Sequence, residues 1–248
     1  MIITVAVQKG GTGKTTTAAV LAQAAAYKGL RPLAIDLDPQ GNLSMALGAQ
    51  MDTGNSYNML TGAPAADQIQ RTAQGIETIA GSWNLSTITS GPGSARRLQE
   101  ALEPIRGAFD MIIIDTPPTA GELQYNALQA SDRLIIPLQA DTYNIQSLYQ
   151  ITETARQIQA SNPKLQIAGI VLTQYDGRST IARQMQKTII NKAAEAGAPY
   201  LGTIRAAVAV KEASALRRSL FEYAPRSKPA QDYIDVFNYI TANKYFHN

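Results

Sequence analysis

The segment that decides the fold is Gln8-Lys9-Gly10-Gly11-Thr12-Gly13-Lys14-Thr15-Thr16, a glycine-rich turn that carries two lysines. An apolar run at 2–7 precedes it, and an alanine-rich stretch at 18–26 follows it. The order of strand, glycine-rich loop and helix is what a phosphate site requires. Glycines let backbone N–H groups turn towards an anion, and the N-terminus of the helix adds partial positive charge.

This loop predicts the contacts of a bound nucleotide and its metal ion. Lys14 supplies a point charge for the phosphates, and the Thr15 hydroxyl is a ligand for Mg²⁺. The expected phosphate contacts are Lys9, Gly10, Gly11, Thr12, Gly13, Lys14, Thr15 and Thr16.

Apolar runs alternate with helical stretches along the rest of the chain, which indicates an α/β fold with a mostly parallel, twisted sheet and helices on both faces. Strands are predicted at 2–7, 32–37, 111–115, 133–138, 167–173 and 201–204. Helices are predicted at 15–28, 94–102, 120–130, 145–160, 180–196 and 230–242. Residues 51–93 show no clear pattern, and Trp83 within them is interpreted as a packing residue.

The predicted strand at 111–115 ends in an acid, Asp115. Because the carboxyl ends of parallel strands face the ligand crevice, Asp115 should lie beside the glycine loop and complete the metal site with Thr15.

Composition excludes several classes of protein. The 248 residues include 45% hydrophobic and 17% charged residues, which is ordinary for a folded domain, and we expect one domain over 1–248. There is no cysteine, so a disulfide framework, a thiolate nucleophile and a cysteine-ligated cluster are excluded. The N-terminus lacks the pattern of a signal peptide, and no apolar run reaches the roughly 20 residues that cross a bilayer, so we expect a cytoplasmic protein.

Positive charge is concentrated in the C-terminal part. Residues 1–150 hold nine Lys/Arg and twelve Asp/Glu, whereas residues 151–248 hold thirteen and seven. Clustered cations without a recognition-helix motif favour contact with the DNA phosphate backbone, and a solvated basic face without a partner is the alternative. The candidate DNA contacts are Arg178, Arg183, Lys187, Lys211, Arg217, Arg218, Arg226 and Lys228.

Two motifs resemble one family closely. Lys9 before Gly10-Gly11-Thr12-Gly13-Lys14-Thr15 resembles the deviant Walker A motif of the ParA/MinD superfamily of P-loop ATPases, in which a second lysine stands near the start of the loop. Asp36-Leu37-Asp38-Pro39-Gln40-Gly41-Asn42 resembles the Walker A′ segment of its ParA branch. Further similar segments run from Asp115-Thr116-Pro117-Pro118 to Tyr223-Ala224-Pro225-Arg226-Ser227-Lys228, so the resemblance covers nearly the whole chain.

The resemblance implies an ATPase that uses Mg²⁺. In the family, two subunits sandwich two nucleotides, and the lysine equivalent to Lys9 reaches the partner's phosphates. By resemblance Asp38 positions the attacking water, and Asp36 supports the metal and the loop. Lys9, Lys14 and Asp38 are thus the expected catalytic residues. The ATP dimer would bind DNA without sequence preference at the nucleoid, and a ParB-like partner would stimulate hydrolysis and release.

Other branches of the superfamily supply alternatives. A MinD-like protein acts at a membrane through a terminal amphipathic helix, whereas the predicted helix at 230–242 has acids at 232 and 235 and is expected to pack on the core, so no membrane role is expected. The nitrogenase iron protein branch holds a cluster with cysteines, which are absent. A branch resembling dethiobiotin synthetase acts on small substrates, but its members need not carry Lys9.

One segment departs from the family's pattern. Ile204-Arg205-Ala206-Ala207 stands where many chromosomal members read Ile-Pro-Arg-Asn, and Arg205 is taken as the nucleotide contact there. His247, the single histidine, lies near the terminus and is assigned no catalytic role.

Overall fold

The computed structural model describes residues 1–91 and 93–242, and His247 lies outside them. Within them the chain forms an eight-stranded sheet in the order β3-β4-β2-β5-β1-β6-β7-β8. All neighbouring pairs are parallel except β3 and β4. The strands are β1 Ile2–Val5, β2 Pro32–Asp36, β3 Gln70–Arg71, β4 Glu77–Ile79, β5 Met111–Asp115, β6 Arg133–Leu138, β7 Gln166–Tyr175 and β8 Tyr200–Arg205.

The α-helices connect these strands. They are α1 Lys14–Tyr27, α2 Asn42–Leu47, α3 Ser56–Leu60, α4 Arg97–Leu102, α5 Glu122–Ala130, α6 Tyr143–Gln159, α7 Thr180–Glu195, α8 Val208–Ala215, α9 Leu220–Tyr223 and α10 Lys228–Ala242. Short 3₁₀ turns at Ala65–Gln68, Trp83–Thr87, Ser94–Arg96 and Arg106–Ala108 complete the regular structure of the described residues.

Side chains alternate between the two faces along each strand, so apolar side chains project from both faces of the sheet. Helices cover both faces. On one face Ile3 and Ile113 share a core with α1, α2, α8, α9 and α10. On the other face Ile2 and Ile112 pack with α3, α4 and α5, and Leu134 packs with α5, α6 and α7. The predicted α/β class is therefore confirmed, and strands buried on both faces explain why the apolar runs are continuous.

The six predicted strands and six predicted helices are present, with ends shifted by a few residues. The segment predicted as a helix at 94–102 begins as the 3₁₀ turn Ser94–Arg96. The pattern did not predict β3 and β4 or the helices α2, α3, α8 and α9, all of ten residues or fewer. Trp83 is exposed, so its interpretation as a packing residue is wrong.

The last helix packs on the core, as predicted. In α10 the residues Tyr233, Val236, Phe237 and Ile240 are buried against β8 and α1. Its apolar face is therefore already occupied. No helix within residues 1–91 and 93–242 combines the length and apolarity needed to span a bilayer.

Gly169 in β7 provides a test of the packing between strands. Its φ is 146°, and a Cβ there would overlap the carbonyl oxygen of Pro199, which accepts the Ile170 N–H at 2.8 Å. We predict that Gly169→Ala lowers the free energy of unfolding by about 2 kcal/mol or more in urea titrations. The control is Gly107→Ala, since a Cβ at residue 107 meets nothing within 4 Å. Equal stability of the two variants would contradict this account of β7.

Candidate functional site

The glycine loop joins β1 to α1 at the carboxyl edge of the sheet. Gly11 and Gly13 have φ of 76° and 86°, the left-handed region that favours glycine. Gly13 is the N-cap of α1, and no side chain caps that helix. The first N–H groups of α1 are thus left for a bound anion, as a phosphate site requires.

Polar side chains of β7 and of the end of β6 donate hydrogen bonds to the backbone of the loop. The Thr173 hydroxyl donates to the carbonyl of Thr12 at 2.6 Å. The side-chain amides of Gln139 and Gln174 both donate to the carbonyl of Gly11, at 2.8 and 3.0 Å. These bonds fix the loop's carbonyl groups on the side of the sheet. Sequence reasoning missed all three donors.

Lys14 is buried at the base of this loop, with 7% of its surface exposed. Its ammonium group donates to the carbonyl of Lys9 at 2.7 Å. Burial lowers the pKa of Lys14, while the charges of Asp115 and Asp38 oppose that shift. The lysine is therefore positioned before any phosphate binds.

Lys9 contacts an acid of its own chain. Its ammonium group lies 3.0 and 3.1 Å from the two carboxylate oxygens of Asp141 and 5.6 Å from the ring centre of Tyr143. The side chain is part-buried rather than extended into solvent. Asp141 was not among the predicted site residues.

Asp36 organises the segment that follows β2. Its carboxylate is buried and accepts hydrogen bonds from the backbone N–H and hydroxyl of Ser44, at 2.8 and 2.7 Å, and from the Asp38 N–H at 3.0 Å. Burial raises the pKa of Asp36 to about 6, although the bonds from Ser44 and Asp38 favour the charged form. The predicted support of the loop is thus visible, and the predicted role towards the metal stays a prediction.

Asp38 faces the cavity above the loop. Only 6% of its surface is exposed, and one carboxylate oxygen accepts the Gln40 N–H at 3.0 Å. The cavity has a volume of about 690 Å³, and its wall includes Gly10, Lys14, Thr15 and Asp38. Six of the eight predicted phosphate contacts line this space together with Asp38, the predicted water-positioning residue, whereas Lys9 and Thr12 do not.

Asp115 is a buried carboxylate without the hydrogen-bond partners that such a group normally has. The residue is completely buried, and neither carboxylate oxygen has a hydrogen bond of normal geometry. Burial raises the pKa of Asp115 well above its usual range, the charge of Asp36 adds to this, and the Thr15 hydroxyl and Lys14 oppose it. Oxygen ligands fit Mg²⁺, which keeps several waters and binds through few protein groups plus phosphates. Among residues 1–91 and 93–242, no group of three or more His, Cys, Asp or Glu is placed to hold a metal ion by itself.

A second cavity of about 400 Å³ adjoins the first, and both are lined by Gly13, Thr16 and Gln174. Its remaining lining is largely apolar, with Ile204, Val208 and Val210, which suits a nucleoside. Arg205 lines this cleft, but its guanidinium binds Asp232 through both Nε and Nη2. The role of Arg205 as a nucleotide contact stays a prediction, and the structure adds that its guanidinium pairs with Asp232 on α10.

Comparison with known proteins identifies the family of this site. Residues 1–167 match the family described as "AAA domain". The chain is 36% identical to the chromosome partitioning protein ParA of Caulobacter vibrioides (NA1000 / CB15N), over 95% of this chain and 91% of that protein. It is also 36% identical to the sporulation initiation inhibitor protein Soj of Bacillus subtilis (168), over 98% of each.

The chain belongs to the ParA family of ATPases. A solved structure agrees with the fold: cobyrinic acid a,c-diamide synthase from Mycobacterium smegmatis, with bound ATP analog and magnesium, superposes with a TM-score of 0.87 at 29% identity. The match covers 99% of this chain and 95% of that one.

The basic residues of this ParA-type chain fall into two groups on opposite faces of the sheet. Arg178, Arg183 and Lys187 lie on α7 or just before it, and the other five lie on or around α8 and α10. All eight are exposed. The candidate DNA contacts therefore lie in two separate groups on this chain.

Several of these cations already have partners in the chain. Arg178 pairs with Asp176 at 2.9 Å, and Arg183 donates to the carbonyls of Gly177 and Arg178. The Arg218 guanidinium lies 5.7 Å from the ring centre of Tyr223. Lys187, Lys211, Arg217, Arg226 and Lys228 have neither an ion pair nor a side-chain hydrogen bond to any residue in 1–91 or 93–242.

Asp115 predicts an unusual dependence of stability on pH. Because the pKa of Asp115 is raised above its ordinary value of 3.8, the folded chain keeps this carboxyl protonated at pH values at which the unfolded chain has lost the proton. Stability therefore falls as pH rises through this window. We predict that Asp115→Asn, in EDTA at about pH 7, is more stable than the parent by about 1 kcal/mol or more, because a buried unpaired charge costs more than a buried amide.

Urea unfolding at several pH values measures this difference, which should vanish near pH 4. The matched control is Asp52→Asn, because Asp52 is exposed. In Mg²⁺ with ATP the order should reverse, since the variant loses the ligand. A variant that is less stable than the parent in EDTA at neutral pH would contradict the account of an orphaned carboxylate.

Proposed function

We propose that this chain is an ATP-dependent DNA partition protein that works as one ATPase domain. Its ATP-bound sandwich dimer binds DNA without sequence preference, and hydrolysis, stimulated by a ParB-like partner, releases the DNA. The observation that carries this proposal is that Lys14 and Asp38 line one cavity beside the glycine loop, with the orphaned carboxylate of Asp115 buried close enough for its charge to act on Lys14. The protein acts in the cytoplasm at the nucleoid.

The chain is an ATPase, as its family membership shows, and it uses ATP and Mg²⁺. The N–H groups at the start of α1 and the Lys14 ammonium bind the phosphates, and the largely apolar cleft receives the nucleoside. Thr15 and Asp115 would hold Mg²⁺, which would neutralise charge on the phosphate oxygens. Because the loop is fixed in advance, little reorganisation is needed when the nucleotide binds.

Hydrolysis needs a water placed in line with the bond that breaks. Asp38 suits this role, since its carboxylate is held by the Gln40 N–H and faces the phosphate cavity. Water attacks the terminal phosphorus, and the bond to the bridging oxygen of ADP breaks. Asp36 acts through Asp38 and Ser44, whose positions its carboxylate fixes.

Lys9 links nucleotide to dimer formation in this proposal. A cation that reaches across an interface compensates charge on the transferred phosphoryl group, and comparable arginines raise rates by about 10³ to 10⁵. In the single chain Lys9 is bound to Asp141. Dimerisation would therefore exchange Asp141 for the phosphates of the second subunit, and the ion pair keeps the lysine ordered until then.

The two basic groups suit a phosphate-backbone interaction. Exposed lysines and arginines bind DNA by releasing counterions, so affinity falls steeply with salt. A two-fold dimer brings four such groups together, and this would make DNA binding depend on ATP. Titration of DNA with ATP, ADP or no nucleotide, at two salt concentrations, tests the proposal. Equal affinity in all three states would overturn the switch, and ATP-dependent sedimentation with liposomes instead of DNA binding would indicate the MinD-like alternative.

We predict that the two basic groups contribute separately to DNA binding. Two double variants, Arg183→Gln/Lys187→Gln and Arg226→Gln/Lys228→Gln, each neutralise one group. Each phosphate contact that is lost should reduce the slope of log affinity against log salt by about 0.9. The control is Lys164→Gln, an exposed lysine before β7, at the opposite end of that strand from the nucleotide cavity. If neither double variant changes the slope, these residues do not bind DNA.

We predict that Lys9→Ala abolishes ATP-dependent dimerisation while nucleotide binding stays measurable. The phosphate loop and Lys14 remain in the variant, but the cation for the second subunit is gone. Light scattering measures the dimer, and a fluorescent ATP analogue measures binding. Lys28→Ala, at the exposed end of α1, is the control. If the variant still dimerises in ATP as the parent does, Lys9 does not contribute to the interface.

A further inference from the structure

Arg217 occupies a backbone position that normally belongs to glycine. Helix α8 ends with the Arg217 N–H bound to the Ser214 carbonyl at 3.0 Å and the Arg218 N–H bound to the Ala213 carbonyl at 2.9 Å. This is a Schellman ending, in which the residue after the C-cap is left-handed and is usually glycine. Arg217 has a φ of 52°, so the chain keeps a large side chain where its backbone is strained.

The side chain of Arg217 lies along the nucleotide cavity. A Cβ on Gly48 would stand 3.9 Å from Cδ of Arg217, so the arginine stem runs beside the end of α2. Arg217 then lines the same 690 Å³ space as Lys14, Asp38 and the glycine loop. The neighbouring Arg218 does not line this space.

The Arg217 guanidinium has no ion pair and no hydrogen bond to any part of the chain that the structure describes. This distinguishes it from Arg178 and Arg205, which are bound to Asp176 and Asp232. The residue is exposed, so its donors are accessible to solvent and to a ligand. A strained, unpartnered arginine beside a phosphate loop is thus available to an anionic ligand.

We propose that Arg217 binds the polyphosphate chain of the nucleotide in its own subunit, and that it is not a DNA contact. The inference rests on the proposed binding of ATP and extends it. A guanidinium offers two parallel donors that match a phosphate group. Lys14 and the start of α1 contact the phosphates from the loop, and Arg217 contacts them from the α8 end. The arginine thereby connects α8 to the state of the nucleotide.

The test compares Arg217→Gly with Arg217→Lys. Glycine removes the charge and also relieves the left-handed strain, so the variant should melt at the same temperature as the parent or higher. We expect its affinity for Mg²⁺-ATP to fall about tenfold or more, which corresponds to the loss of one charge-assisted contact. Affinity for AMP should change less. Arg217→Lys should recover only part of the ATP affinity, because an ammonium group keeps the charge but lacks the two parallel donors. Lys164→Ala controls for the loss of one exposed charge.

The outcome is read without DNA, by equilibrium titration of a fluorescent ATP analogue and by thermal melting. Retained stability with weakened ATP binding supports the proposal, because a purely structural role for Arg217 would not separate the two. ATP affinity within twofold of the parent would overturn it. So would a loss of DNA binding at saturating ATP with normal ATP affinity, which would return Arg217 to the DNA surface. The partition proposal fails separately, if the parent protein binds DNA with the same affinity in ATP, in ADP and without nucleotide.

Discussion

The site depends on one constraint, the orientation of the peptide groups in the loop after β1. Donors at the ends of β6 and β7 hold the carbonyls of Gly11 and Thr12, so the loop is stabilised by strands distant in sequence. Because the carbonyl groups are satisfied on that side, the N–H groups at the start of α1 remain for phosphate. The parallel sheet thus acts as the frame for an anion site.

The buried charged groups at the carboxyl ends of the strands lower the folding stability of the chain. Asp36, Asp115 and Lys14 are all buried within a small region, and burial shifts the pKa of each towards its neutral form. Asp36 is stabilised by Ser44 and Asp38, whereas Asp115 has no comparable donors. Asp36 therefore organises the surrounding structure, whereas Asp115 is the carboxylate that the proposed function assigns to Mg²⁺. A loss of folding stability at a functional site is common in proteins.

Much of this arrangement follows from sequence, for physical reasons. Strands buried on both faces leave long apolar runs, and glycine and lysine spacing defines the loop, so β1, α1, β5 and the positions of Lys14 and Asp115 were predicted. Short elements such as α8 and β4 bury too few residues to give a periodic signal. Gln139, Asp141 and Thr173 were missed because their role arises only from neighbouring strand ends. The ion pair of Arg205 with Asp232 was not predicted, because Asp232 lies on α10 and is distant in sequence.

The two borders of the sheet also have a consequence for how copies of the chain can associate. At one border β3 has only two residues and runs antiparallel, and at the other β8 is paired irregularly with β7 and is contacted by α10. Neither presents a long flat row of free peptide groups, which is the usual template for strand addition and aggregation. The proposed cycle of dimer assembly and release on DNA would therefore run with little risk of irreversible edge-to-edge growth.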